Sequence, residues 1–93
     1  MKVILVYDVA LENSKDNARL NRIRKIVRKY LTHVQKSVFE GEITRANLQR
    51  LKYEILEEAD KKRDSIILYI FDDRTDYTRE ILTEVEDPLE NVI

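Results

Sequence analysis

The chain opens on Val3-Ile4-Leu5-Val6-Tyr7, its most apolar stretch, and Asp8 stands directly after it. A nearly continuous, β-branched run of this length is typical of a central strand that is buried on both faces. We therefore predict such a strand over residues 2–9. A carboxylate at its end needs a compensating partner, because an unpaired charge beside buried hydrocarbon is costly. A metal ion, a turn or a cationic neighbour could each be that partner.

The segment that follows is strongly basic. From Asn17 to Phe39 there is no acidic residue, whereas residues 72–93 are predominantly acidic, so the net charge of −1 hides both blocks. Such a segment is typical of a phosphate-binding surface, although a solvated helix face is the commoner explanation of clustered charge. We predict salt-sensitive contacts with a nucleic-acid backbone from its helical part. The candidate residues are Arg19, Arg22, Lys25, Arg28 and Lys29.

Length and composition limit the class of protein. Ninety-three residues, 43% of them hydrophobic, predict one domain over 1–93, with a body over 1–85 and a tail over 86–93. Without cysteine, and with one histidine, a disulfide framework, a thiolate metal site and a His-rich zinc site in a single chain are excluded. The N-terminus lacks a signal-peptide pattern and the apolar runs are too short to cross a bilayer. We expect a soluble cytoplasmic protein.

The periodicity predicts two helices between strands. Asn13 or Ser14 can cap the first helix and Thr44 the second, and each helix carries an apolar stripe at spacings of three and four. A second buried strand is predicted over 65–71 and a partly exposed edge strand over 77–85, with a turn at 72–73 between them. The apolar tail beyond Pro88 is expected to pack on a partner subunit.

The segment from Val34 to Ile43 is harder to interpret, because its alternation slips near Lys36-Ser37. Two paired strands would need a tight turn, and no turn dipeptide is present. We therefore predict one long bent strand that ends at Gly41. The resulting order of strands and helices is an α+β pattern. The simplest arrangement is a ferredoxin-like sandwich, an antiparallel sheet with both helices on one face.

Asp8 is the candidate for chemistry. It could be a simple turn residue whose side chain accepts a backbone hydrogen bond. Alternatively, Asp8 is a metal ligand, since Mg²⁺ is typically held by one or two carboxylates together with water and phosphate. The nearby acids are Glu12 and Asp16. A two-fold axis would bring a second Asp8 opposite the first, and the pair could share one hydrated Mg²⁺ that polarises a phosphodiester.

Other residues are weaker candidates for a supporting role. Tyr7 points away from Asp8 in a regular strand, which favours a packing role. His33 has a pKa suited to proton transfer, but a lone histidine is more often a surface residue or one whose hydrogen bonds are internal. No His-Asp arrangement accompanies Ser37, so a serine nucleophile is disfavoured. There is neither a glycine-rich phosphate loop nor the aromatic signature of RNA-recognition domains.

Two segments together resemble a known family. They are Val3-Ile4-Leu5-Val6-Tyr7-Asp8-Val9 and, after the basic helix, Val34-Gln35-Lys36-Ser37-Val38-Phe39-Glu40-Gly41, with a closing strand from Asp64. The chain resembles the CRISPR-associated Cas2 family over about residues 1–85. The resemblance departs at His33, where many relatives have arginine, and at Leu31-Thr32, where many have glycine. The first departure weakens any role carried over to that cationic position.

The resemblance implies a function in CRISPR spacer acquisition. It implies a ferredoxin-like homodimer whose C-terminal strand can cross to the partner, with Asp8 as the metal-binding acid. It also implies Mg²⁺-dependent cleavage of single-stranded RNA or duplex DNA, and bridging of dimers of the spacer integrase (Cas1) with the incoming DNA held by its backbone. Arg19 and Arg22 best match the family's basic positions, and Ser37 and Phe39 match its Ser-Val-Phe strand.

Three alternatives to a nuclease of spacer acquisition stay open. The chain could be a scaffold in which the basic face binds DNA and Asp8 is dispensable. It could be a toxin-like ribonuclease that acts without an integrase. It could also be a small-molecule regulatory module, since the fold alone does not determine function.

Overall fold

The computed structural model describes residues 1–72 and 77–85. In chain order the elements are β1 (Lys2–Asp8), α1 (Ser14–Arg28), β2 (Thr32–Gln35), β3 (Val38–Glu42), α2 (Arg45–Glu58), β4 (Ser65–Phe71) and β5 (Tyr77–Ile81). The predicted turn lies partly outside these ranges, and the tail beyond Pro88 lies outside them entirely. Its packing on a partner, like the division into body and tail, stays a prediction.

The strands form one antiparallel sheet in the order β2-β3-β1-β4-β5. The first six elements follow the order β-α-β-β-α-β, so the predicted ferredoxin-like fold is confirmed. β5 extends the sheet by pairing with β4 of its own chain. Neither helix is long and apolar enough to cross a membrane within the described ranges.

The prediction of one bent strand from Val34 to Gly41 is wrong. β2 and β3 are two antiparallel strands, and the chain reverses at Lys36-Ser37. Lys36 has a φ of 26°, in the left-handed region that a residue with a Cβ seldom adopts. The slip in alternation near Lys36-Ser37 coincides with this reversal, and the register shift lies just before it, between His33 and Gln35. It did not reveal the reversal, because the usual Asn-Gly signal of a tight turn is absent.

β1 is central, as predicted, but it is not buried on both faces. Val3, Leu5 and Tyr7 are buried against the helices, whereas Ile4 and Val6 on the opposite side are half-buried. The difference arises because both helices pack on the same side of the sheet. We call the other side the open face.

Both helices begin at the predicted caps. The side chain of Asn13 accepts a hydrogen bond from the N–H of Asp16 at 3.1 Å, and that of Thr44 accepts one from Asn47 at 3.1 Å. The helices bury their apolar stripes against one face of the sheet, forming a single core. Its fully buried members are Val3, Leu5, Ile23, Val27, Phe39, Leu51, Ile55, Ile66 and Leu68.

Candidate metal and phosphate site

Asp8 ends β1 on the open face, opposite Ser65 in the register with β4. Its side chain is exposed. Across residues 1–72 and 77–85, no hydrogen bond or ion pair reaches its carboxylate. The interpretation of Asp8 as a turn residue with a backbone hydrogen bond therefore finds no support in the described residues. The carboxylate is available to a ligand from outside the chain.

Asp8 lines a depression of about 270 Å³ at the end of the sheet. The depression lies between the end of β1, the middle of α1 and the β2–β3 turn. Two cationic residues lie in its wall, Arg24 from the helix and Lys36 from the turn. Its full lining is Tyr7, Asp8, Val9, Leu11, Leu20, Arg24, Lys36 and Ser37.

Tyr7 links the parts of this wall. Its hydroxyl donates to the carbonyl oxygen of Lys36 at 3.0 Å and accepts from Nε of Arg24 at 2.9 Å. Its backbone N–H donates to the carbonyl oxygen of Ser37 at 3.1 Å. Tyr7 therefore fixes both the turn and the arginine, although its ring is directed to the helix side of the sheet.

The structure contradicts the prediction that Arg19 binds nucleic acid. Arg19 is 9% exposed, and its guanidinium is used inside the protein. Its Nε and Nη2 donate to the two carboxylate oxygens of Asp64 at 2.7 and 2.8 Å, and Nη1 donates to Asp16 at 2.5 Å. Nη2 also reaches the carbonyl oxygen of Ala10 at 3.3 Å. A guanidinium that is buried and bonded in this way is not available to a phosphate.

The two acids that Arg19 binds are also buried, with Asp64 0% exposed and Asp16 1% exposed. Asp64 also accepts the N–H groups of Ala10 at 3.1 Å and Asp60 at 2.9 Å. Burial by itself raises the pKa of Asp64, but the hydrogen bonds from Arg19 and these amides outweigh it and hold the pKa below its ordinary value. No role for Asp64 is predicted from the sequence.

Asp16 is held by a second arginine from the loop before β4. Arg63 donates to Asp16 through Nη1 at 3.1 Å and through Nη2 at 2.7 Å. Together with the N–H of Glu12 and with Arg19, these bonds hold the pKa of Asp16 far below its ordinary value, the bonds from Arg63 most strongly. We call Asp16, Arg19, Arg63 and Asp64 the ionic network. It ties the start of α1 to the start of β4.

The other predicted nucleic-acid contacts divide into two groups. Arg22 pairs with Glu58 at 2.8 Å, and Lys29 pairs with Glu54, although both basic side chains stay about half exposed. Lys25 and Arg28 are exposed and have no ion pair with any described residue. Helix α2 therefore neutralises part of the basic face, and Lys25 and Arg28 remain its most accessible charges.

The supporting candidates have mainly structural roles. Phe39 is fully buried and stacks on His33 with ring centroids 4.6 Å apart. Nε2 of His33 lies 2.8 Å from the carbonyl oxygen of Lys36, so His33 steadies the turn and is not part of the depression. Ser37 does line the depression beside Asp8.

The donor set limits any metal site. No cluster of three or more His, Cys, Asp or Glu side chains occurs in the part of the chain that the structure describes. Asp8 is an exposed oxygen donor of the kind that Mg²⁺ accepts, so a single chain fits Mg²⁺ as one ligand with water completing the shell. A second protein ligand would have to come from another subunit.

The sequence contained a signal for part of this arrangement. Asp16, Leu20, Ile23 and Val27 are spaced by four, three and four residues, so Asp16 lies on the apolar stripe of α1. Arg19 precedes Ile23 by four residues and is on the same side. A charged residue on a buried stripe needs a partner of opposite charge. The prediction that Arg19 belongs to the exposed basic face does not meet that requirement.

Known proteins match this chain in sequence and in fold. The family model for CRISPR associated protein Cas2 matches residues 1–79. The chain belongs to the Cas2 family. The Moorella thermoacetica protein CRISPR-associated endoribonuclease Cas2 2 is 45% identical over 98% of this chain and 100% of its own length. The CRISPR-associated endoribonuclease Cas2 of Methanocaldococcus jannaschii is 42% identical over 100% of this chain and 76% of its own length.

The solved structure of a Cas2 protein has the same fold. The crystal structure of Streptococcus pyogenes Cas2 at pH 6.5 superposes with a TM-score of 0.70 at 35% identity, covering 77% of this chain and 87% of that one. The ferredoxin-like arrangement that carries Asp8 is thus shared with a family member of known structure.

The first prediction concerns the ionic network. We expect Asp64→Ala to lower the free energy of unfolding by about 3–5 kcal/mol, because it leaves Arg19 buried without its main partner. The double variant Asp64→Leu with Arg19→Met should be less destabilised than Asp64→Ala, since no buried charge is left unpaired. Urea unfolding followed by circular dichroism measures both. A double variant that is no more stable than Asp64→Ala would contradict this account.

The second prediction concerns acid stability. Asp16 and Asp64 have lowered pKa values in the folded chain, so below their ordinary pKa of 3.8 the unfolded chain binds protons that the folded chain does not. The contribution of these two carboxylates to the free energy of unfolding is therefore fully present above about pH 5 and is lost as the pH drops through about 4. We expect a shallower fall for Asp16→Asn, measured by urea unfolding at a series of pH values. Parallel curves for the variant and the wild type would argue against a charged Asp16 in the folded chain.

Proposed function

We propose that this Cas2 family member is a Mg²⁺-dependent endonuclease of CRISPR adaptation that acts as a homodimer on single-stranded RNA or duplex DNA. The observation that carries the proposal is the exposed carboxylate of Asp8, which no described residue bonds, at the rim of a depression with two cationic residues in its wall. The names of the relatives from Moorella and Methanocaldococcus, both endoribonucleases, support the reaction class.

The open face favours dimerisation. Ile4 is paired with Tyr69, and Val6 is paired on its two sides with Val38 and Ile67, so all of these side chains share the open face. A contiguous apolar patch at the centre of a sheet is typical of an interaction surface. Asp8 continues the same face from β1. Packing two open faces about a two-fold axis would therefore bring two Asp8 side chains toward one cleft.

Mg²⁺ fits this arrangement, with Asp8 of each subunit as its protein ligands. When bound, the ion would polarise the phosphodiester and lower the pKa of a coordinated water molecule. The chain's own contribution is the placement of Asp8. The ionic network anchors the loop that follows it through the N–H of Ala10, and pairing with β4 fixes the strand that precedes it.

The role in adaptation also requires a surface for the nucleic-acid backbone and for the spacer integrase (Cas1). Lys25 and Arg28 are the accessible charges for backbone contacts, with Arg22 and Lys29 beside them in ion pairs that a phosphate could replace. We propose that the spacer integrase binds this protein as a partner. Co-purification with the integrase, or its failure, separates this proposal from a ribonuclease that acts alone.

The third prediction is the direct test of Asp8. We expect Asp8→Asn to reduce Mg²⁺-dependent cleavage at least about 100-fold, because several kcal/mol of transition-state stabilisation are lost with the metal ligand. Binding of the same substrate in EDTA should be retained. Glu12→Gln, which removes a nearby exposed acid, is the matched control and should cleave normally. Unchanged cleavage by Asp8→Asn would refute the metal site.

The fourth prediction tests the interface. We expect Val6→Glu to convert the dimer to monomers and to abolish cleavage, since a charge would be buried between the two sheets. Ala46→Glu, an equivalent change on the exposed side of α2, should leave the dimer intact. Analytical ultracentrifugation measures the association state. A Val6→Glu protein that stays dimeric would place the interface elsewhere.

A further inference from the structure

Arg24 and Arg19 lie five positions apart on the same helix but use their guanidinium groups differently. Arg19 commits all three of its nitrogens to internal acceptors. Arg24 commits only Nε, to the hydroxyl of Tyr7. Its two terminal nitrogens have no hydrogen-bond partner among residues 1–72 and 77–85. They are the pair that binds the oxygens of a phosphate in the bidentate geometry of arginine.

Lys36, which lines the depression from the β2–β3 turn, has a comparable arrangement. Its backbone is fixed, because its carbonyl oxygen accepts from Tyr7 at 3.0 Å and lies 2.8 Å from Nε2 of His33. Its side chain is exposed and makes no ion pair with a described residue. Lys36 therefore lines the depression with a charge that no described acid neutralises.

We propose that Arg24 and Lys36 form a phosphate subsite that holds the nucleic-acid backbone beside Asp8. The inference rests on the proposed function, since it supplies the substrate contact that Asp8 cannot make by itself. Asp8 is an anion and repels a phosphate. With Arg24 and Lys36, the ionisable groups that line the depression carry a net positive charge even before a metal ion binds. That charge favours entry of a phosphodiester.

Tyr7 is the positioning residue of this subsite. It holds Arg24 through Nε and holds the backbone of the turn that carries Lys36, so a single side chain fixes the guanidinium and the turn beside Asp8. This explains how a tyrosine whose side chain is buried can affect a site at the surface. The ring packs in the core, and the hydroxyl reaches the rim.

The test is binding of a 5′-fluorescein-labelled single-stranded RNA in EDTA, measured by anisotropy over a range of salt concentrations. We expect Arg24→Gln and Lys36→Gln each to weaken binding about tenfold, as expected when a charge-assisted hydrogen bond is lost. Each should also lower the slope of log affinity against log salt by about 0.7, the value for one phosphate contact with a single strand. Arg45→Gln is the matched control, because Arg45 is exposed and lies near Met1, at the other end of β1.

Further variants separate a phosphate contact from a structural effect. Tyr7→Phe keeps both charges, so the salt slope should be unchanged and the loss of affinity smaller than for Arg24→Gln. Lys36 is exposed, so Lys36→Gln remains informative even if Arg24→Gln alters the thermal unfolding midpoint. The subsite is wrong if Arg24→Gln and Lys36→Gln bind like Arg45→Gln, or if Tyr7→Phe loses more affinity than Arg24→Gln.

The outcome is distinguishable from that of the nuclease proposal. If the wild-type protein does not cleave but both subsite variants lose affinity and salt slope, the subsite stands and the nuclease proposal fails. If Asp8→Asn abolishes cleavage while both subsite variants bind and cleave like Arg45→Gln, the nuclease proposal stands and the subsite fails.

Discussion

The buried pair of Arg19 and Asp64 is the interaction on which the site depends. It is bidentate, with both bonds under 3 Å, and it joins the first turns of α1 to the residue that precedes β4. The same carboxylate accepts the N–H of Ala10, two residues beyond Asp8. The loop between β1 and α1 is therefore anchored to Asp64 both at Ala10 and, through Arg19, at the helix that follows. A buried pair of this kind is weak evidence for stability by itself, but breaking it leaves an uncompensated charge in the core.

The ionic network also determines which charges are left for function. Three acids near the end of β1 have arginine partners. Asp16 and Asp64 are buried in ion pairs with Arg19, and Glu12 forms a longer ion pair with Arg63 at 3.4 Å. Asp8 is the acid that remains available. The same division applies to the bases, since Arg19 is buried whereas Arg24 lines the depression and bonds described residues only through Nε. Function here follows from which charges the fold leaves unpaired rather than from their number.

Much of the fold was predictable, because periodicity and capping act locally. The strand from Ser65 to Phe71 and the caps Asn13 and Thr44 have the structure that their sequence indicates. The hairpin was missed because its turn relies on a positive φ at Lys36 that the bonds from Tyr7 and His33 stabilise. Tyr7 is distant in sequence, and the contact of His33 with Lys36 requires the turn to be formed. No local sequence pattern therefore predicts these interactions.

The candidate site was predictable only in part, for the same reason. Asp8 stands out in the sequence because it ends an apolar run. Arg24 and Lys36 were visible as basic residues, but their convergence on Asp8 requires the β2–β3 turn to lie beside α1. Arg19 was wrongly assigned because composition cannot tell an exposed base from one that neutralises a buried acid such as Asp64, whose partner is 45 residues away.

The most direct measurement is a crystal structure of the protein grown with Mg²⁺, in which the separation of the two Asp8 carboxylates is read from the homodimer. The account predicts that the open faces pack together and that the carboxylates lie within about 4–9 Å of each other, the range in which they share one ion directly or through its water. A monomer, or a dimer that holds the two carboxylates well beyond that range, would contradict it.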